Sequence, residues 1–161
     1  MTVIRLETLV TAPPHRCFDL SLSVDVHLTS AAATNERVVS GPATGILSAG
    51  DSITWEARHF GRRWHLTVRI TAYDRPQMFR DEMVDGPFRR MRHDHLFEPT
   101  DDGTRMRDEF EFASPVPLVD TAVLRPYLRR FLARRNETIR RLAEGDEWRR
   151  YLKAGTDVRD V

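Results

Sequence analysis

The chain has 161 residues, 40% hydrophobic and 30% charged, which is the size and balance of one soluble domain. No stretch approaches the roughly 20 apolar residues of a membrane-spanning helix. With 25 basic and 24 acidic residues, a net charge of +1 supplies no global field for nucleic acid or an anionic membrane. Cys17 is the only cysteine, which excludes an intrachain disulfide and a multi-cysteine zinc site. The polar start Thr2-Val3-Ile4-Arg5-Leu6-Glu7 lacks the apolar core of a signal peptide, so a cytoplasmic protein is expected.

Val3 to Thr11 reads as a strand that Ala12-Pro13-Pro14 ends. A short amphipathic helix follows, with Cys17, Phe18 and Leu20 at helical spacing, then a second near Val24 to Ser30. Ala31 to Asp51 reads as one strand at Arg37-Val38-Val39 among loops broken by Gly41, Pro42, Gly45 and Gly50. Strands are expected at Ser52–Phe60, Trp64–Asp74, Met78–Asp85, Phe88–Glu98 and Arg105–Ala113. Their connections, such as Phe60-Gly61-Arg62-Arg63 and Asp101-Asp102-Gly103-Thr104, have hairpin length and leave no room for the crossovers of a parallel sheet.

After Pro117 the period becomes helical. Leu124, Leu128, Phe131, Leu132, Ile139 and Leu142 mark one face; Arg129, Arg130, Arg134, Arg140 and Arg141 crowd the other. Pro126 predicts a kink or a helix beginning beside it, and Gly145 a stop. The expected division is a domain over residues 1–145 and a tail over 146–161, in which Trp148, Tyr151 and Leu152 form a final turn or fray.

Alternation along the strands separates two faces. One carries Thr54, Glu56, Arg58, Arg80, Glu82, Arg92, Asp94, Arg107 and Glu109 and must meet water. The other is apolar apart from His59, Asp81, His93, His95 and Asp108. Burying such groups without partners costs roughly 2–7 kcal/mol each when neutral and more when charged, so a sheet wrapped around a ligand pocket explains them better than a solid core does.

His93 and His95 project to one side of a strand, within reach of Asp81 and Asp108 on neighbouring strands. Three chemistries are open to this set. It suits acid–base catalysis, since a histidine near its ordinary pKa of about 6.5 both takes and gives a proton. Two histidines and a carboxylate also meet the ligand count of a catalytic zinc, although the spacing alone assigns no metal. As a supporting network, the carboxylates would fix the imidazole tautomers around a pocket. His59 and His27 are rim positions, His65 lies on the outer face, and His15 is solvated in the first helix. Gly41-Pro42-Ala43-Thr44-Gly45 lacks the lysine of a phosphate loop, and no motif calls for a cofactor.

The order strand, two short helices, curved sheet and long helix resembles the helix-grip fold of the START-like SRPBCC superfamily. Val10-Thr11-Ala12-Pro13-Pro14-His15-Arg16-Cys17-Phe18-Asp19 is similar to its opening. Thr54-Trp55-Glu56-Ala57 and His93-Asp94-His95-Leu96-Phe97-Glu98-Pro99, with Gly103-Thr104, resemble the bacterial polyketide cyclase/dehydrase branch. The resemblance implies an α+β fold with six to seven strands gripping the C-terminal helix. It brings no catalytic residue with it, because the superfamily shares no catalytic set.

These readings together predict a hydrophobic small-molecule ligand, lipid- or polyketide-like, held between sheet and helix. Its expected walls are Trp55, His59, Trp64, Leu66, Val68, Phe79, Met83, Met91, Phe97, Met106 and Phe110 from the sheet and Leu128 and Phe131 from the helix. His93, His95, Asp81 and Asp108 are the catalytic set of an alternative cyclase/dehydrase-like enzyme. An interaction module using the arginine-rich helix is the third reading. Nucleic-acid binding and membrane insertion are not expected, and a homodimer is left open.

Overall fold

The computed structural model describes residues 1–152. Seven antiparallel strands form one sheet in the order β1-β7-β6-β5-β4-β3-β2. They are β1 (Thr2–Val10), β2 (Arg37–Ser40), β3 (Ser52–His59), β4 (Arg62–Asp74), β5 (Met78–Asp85), β6 (Arg90–Thr100) and β7 (Gly103–Ala113). From β3 to β7 the sheet is a meander of sequential neighbours. The β3–β4 turn is Phe60-Gly61, with φ of 52° and 73°, the pair of left-handed residues that a two-residue hairpin requires. Register breaks at Thr67/Val68 and Ile70/Ala72 interrupt the β4–β5 ladder, and such bulges bend and twist a sheet.

Between β1 and β2 lie α1 (Pro14–Leu22) and α2 (Val24–Ser30). Pro13 and Pro14 occupy the start of α1, where a missing N–H costs no helical bond. Ser23 caps α2 by accepting a hydrogen bond from the Val26 N–H at 3.2 Å. The stretch 31–51 contains the expected strand, here β2, which pairs only with β3 and carries an irregularity between Val38 and Ser40.

After β7 the chain makes one turn of α3 (Pro117–Val119), a π-helical turn (Asp120–Leu124) and the 20-residue α4 (Arg125–Glu144). The helical run passes through Pro126 without a start or a break: Leu124 and Arg125 already have helical angles, and the π-helical turn directly precedes the proline that has no N–H to give. Gly145 ends it, its N–H donating to the Arg141 carbonyl at 3.2 Å. Two of the arginines on the far side meet local acids, Arg140 reaching Glu137 and Glu144 and Arg141 reaching Glu147, while Arg129 donates to the Arg5 carbonyl. Of the expected tail, Trp148–Tyr151 forms α5, with the Arg16 guanidinium 4.2 Å over the Trp148 ring; residues 153–161 lie outside the described residues.

The outward face of the sheet is a lattice of ion pairs, including Arg80 with Asp94, Arg92 with Glu111 and Arg107 with Glu98. Glu56 departs from the expectation of a watered face. It is only 8% exposed because Arg37, Arg63 and His65 close over it. Hydrogen bonds from His65 and Arg37 hold its carboxyl down at about 2.

The inward face divides along its length. At one end Phe18 of α1, fully buried, meets Tyr73, Phe79 and Phe97 edge-on with ring centroids 5.3–5.5 Å apart. Ile139 and Leu142 of α4 are completely buried and belong to the same core. Cys17 is also fully buried, and burial pushes its thiol up to about 11, so it is an inert core residue. Asp19 closes this end with a two-pronged bond from Arg75 at 2.9 and 2.8 Å. Toward the other end of α4 the sheet and helix part.

Candidate functional site

The gap is a cavity of about 510 Å³, within the range of small-molecule sites. Its sheet wall contains Trp55, Trp64, Leu66, Val68, Met91 and Phe110. Leu128 and Phe131 face them from α4, and Phe79 lies at the inner limit. His59 lines the outer part, where its Nδ1 is 2.5 Å from the Tyr127 hydroxyl. Burial lowers the His59 pKa and raises that of Tyr127, so each favours its neutral form.

Three residues expected in the wall are placed elsewhere. Phe97 and Met106 are paired on β6 and β7 two positions beyond His95 and Asp108, inside the closed core. Met83, in register opposite Val68, packs against the core beside Gly86 and does not border the cavity.

The inner end of the cavity is polar. His93 faces Asp81 across β5–β6 and His95 faces Asp108 across β6–β7, yet each imidazole bonds the diagonal carboxylate. His93 Nε2 is 2.8 Å from Asp108 Oδ1, and His95 Nε2 is 2.8 Å from Asp81 Oδ2. The two rings lie 3.7 Å apart, and His95 stacks on Phe79 at 4.1 Å. Asp81, His93 and His95 border the cavity, whereas Asp108 stands behind the histidines.

Two residues of α4 complete this floor. The Arg135 guanidinium is 3.3 Å from His95 Nδ1 and 3.5 Å from Asp108 Oδ1, and it donates to Asn136 Oδ1 at 2.9 Å. Asn136 Nδ2 donates to Asp108 Oδ2 at 2.5 Å. Burial opposes ionisation of both aspartates. The hydrogen bond from His95 nevertheless keeps Asp81 below the ordinary carboxylate value, and bonds from His93 and His95, with Arg135 nearby, hold Asp108 well below it. Burial, reinforced by His95, lowers the His93 pKa and keeps that imidazole neutral near pH 7.

Ligand atoms of Asp81, His93 and His95 lie within 4.8 Å of one another, a two-nitrogen, one-oxygen set compatible with a divalent metal. Arg135 already brings a positive charge to that spot, and a metal dication would meet it as a like charge. The arrangement is therefore better matched to a hydrogen-bonded network than to a metal centre.

Arg135 and Asn136 were passed over in the sequence, although the helical period contains their signal. Between Leu132 and Ile139 the buried stripe must cross positions 135 and 136, and polar residues there are the helical counterpart of the histidines on the sheet. Tyr127 and Glu36 were also unforeseen, the latter because the stretch before β2 carries no periodicity.

A curved antiparallel sheet closed over a lined cavity by a long C-terminal helix defines a helix-grip protein of the SRPBCC type. This chain belongs to the family described as polyketide cyclase/dehydrase and lipid transport, which it matches over residues 1–144. It is similar in structure to TTHA0849 of Thermus thermophilus, with a TM-score of 0.67 and 19% identity over 86% of this chain and 97% of that one. Protein CV1439 of Chromobacterium violaceum aligns with a TM-score of 0.66 and 18% identity, covering 89% and 98%. Ginseng major latex-like protein 151 from Panax ginseng reaches 0.67 at 11% identity, covering 89% and 98%. At these identities the likeness is one of fold. No curated protein matches the sequence. No helix among the described residues is long and apolar enough to cross a membrane.

Proposed function

We propose that the protein binds a hydrophobic small molecule of lipid or polyketide type in the cavity, with a polar group of the ligand against the His93/His95/Asp81/Arg135 floor. The observation that carries this reading is the combination of about 510 Å³ of mostly apolar-walled space with a buried, hydrogen-bonded polar end. An apolar body gains by leaving water, and the fixed polar groups orient it. Native mass spectrometry of gently purified protein, set against its denatured mass, tests the reading. An organic adduct, or stoichiometric Nile red binding, is expected for the native chain and more weakly for Leu128→Trp, which pushes a larger side chain into the space. Equal binding by that variant overturns the proposal.

A second reading has an observation in its favour. His93, kept neutral and bordering the cavity, can take a proton from the carbon between two carbonyls of a polyketide-like ligand and return it to the enolate oxygen. Arg135 would steady the oxyanion. Turnover of a 1,3-diketone that disappears in His93→Gln, with ligand binding retained, separates enzyme from carrier. Binding without turnover by the native chain leaves the carrier.

A further inference from the structure

The polar floor is one of two polar stations in the cavity. Glu36, in the segment before β2, turns its carboxylate into the outer wall with only 6% of the side chain exposed. His27 Nε2 lies 2.7 Å from Glu36 Oε1, and the His27 ring stacks on Trp55 with centroids 4.0 Å apart. The hydrogen-bonded His59 and Tyr127 stand in the same outer part, with Phe60 4.7 Å from Tyr127 and Phe131 5.8 Å from His59. This station is distant from the floor. Trp55 pairs with Leu66, His59 with Arg62 and Asp81 with Ile70, so four to eight residues of β4 separate the station from the floor, about 13 to 26 Å along a curved strand.

Glu36 is the carboxylate of the outer station, and the basic groups lining it are the imidazoles of His27 and His59. Among the described lining residues Arg135 is the only arginine or lysine, and it lies on the floor. Arg134, which acts on Tyr127 through space, is itself exposed on α4. A nearly buried carboxylate that is felt by His59 and Tyr127 and shares a cavity wall with Trp55 is the chemistry that receives an ammonium group, through an ion pair and through the negative faces of the rings. The same surroundings repel a carboxylate or phosphate.

We infer that the outer half of the cavity is a cation site, in which Glu36 and the faces of Trp55 and Tyr127 hold a protonated amine of the ligand. The ligand class narrows to amphipathic amines, and fatty acids are disfavoured. This rests on the cavity-binding reading above.

Three probes with one alkyl chain test it on the full-length protein: dodecylammonium, dodecanol and dodecanoate, followed by the fluorescence of the cavity tryptophans below their micellar concentrations. Dodecylammonium is expected to bind at least about ten-fold more tightly than dodecanoate. Glu36→Gln removes that preference while dodecanol binds as before, and Glu137→Gln, on the solvent side of α4, leaves it in place. His27→Gln, which frees Glu36 from a competing partner, preserves or strengthens amine binding, an outcome that misfolding does not imitate. Equal or tighter dodecanoate binding overturns the inference. So does a preference that survives Glu36→Gln and vanishes in Asp81→Asn, which moves the cation to the floor. Binding without charge preference sinks the cation site alone, whereas no binding of any probe sinks the cavity reading with it.

Discussion

The two ends of the inward sheet face use the same kinds of residue to opposite effect. At the closed end Phe18, Phe79 and Phe97 interlock beneath Ile139 and Leu142, and the rings touch one another. At the open end Trp55, Trp64, Phe110 and Phe131 are just as large, yet they stand around empty volume. The difference lies in what faces them. The closed end has α1 wedged between sheet and helix, and the open end is bridged by the start of α4 and the π-helical turn before it. Bulky apolar residues alone therefore do not specify a solid core; the number of elements packed over them does.

Phe18→Ala is expected to show the largest effect, a loss of about 3–5 kcal/mol in urea denaturation, because it empties the fully buried centre of the closed end. A loss below about 1 kcal/mol would mean that this end is no better packed than the other. Next comes Asp108→Ala at the partition, which strips His93, Asn136 and Arg135 of their common acceptor and is expected to cost about 3 kcal/mol. Leu128→Ala at the open end removes half-buried atoms that already border a void, and about 1 kcal/mol is expected from the same assay. Arg140→Ala on the solvent side is expected to leave the denaturation midpoint unmoved.

The partition also sets the response to pH. His93 and His59 have lowered folded pKa values, so below their unfolded value of about 6.5 the unfolded chain binds more protons and stability falls with pH. Asp81 and Asp108 have lowered values too, and their contribution, full above about pH 4, is lost as pH falls through the folded values. Two descending limbs are expected in stability against pH. His93→Gln should shrink the upper one most, and the lower one in part because Asp108 loses the imidazole that holds its carboxyl down; a curve flat from pH 7 to 4.5 contradicts this account.

The meander was legible because hairpin turns such as Phe60-Gly61 and alternating strands such as His93-Asp94-His95 are local signals. The polar residues of the inner face were legible for the same reason, and their partners on neighbouring strands followed from register. Distances along the sheet were not. Nothing local distinguishes Phe97, in the closed core, from Phe110, at the cavity, since both alternate inward on paired strands. Met83 escaped because alternation puts it on the inward face without showing that its side chain packs beside Gly86. Glu36 and Arg135 escaped for different reasons, the first for want of any period and the second because it stood among many arginines.

The single cysteine gives the closed end a clock. Cys17 is sealed among core residues, so an alkylating reagent reaches it only when α1 lifts from the sheet, and each molecule labels once. In a Trp148→Phe background, where the remaining tryptophans line the cavity, labelling rates followed at rising urea would report the opening of that end separately from the tryptophan signal at the other. A cavity ligand that slows alkylation would reveal that the two ends breathe together.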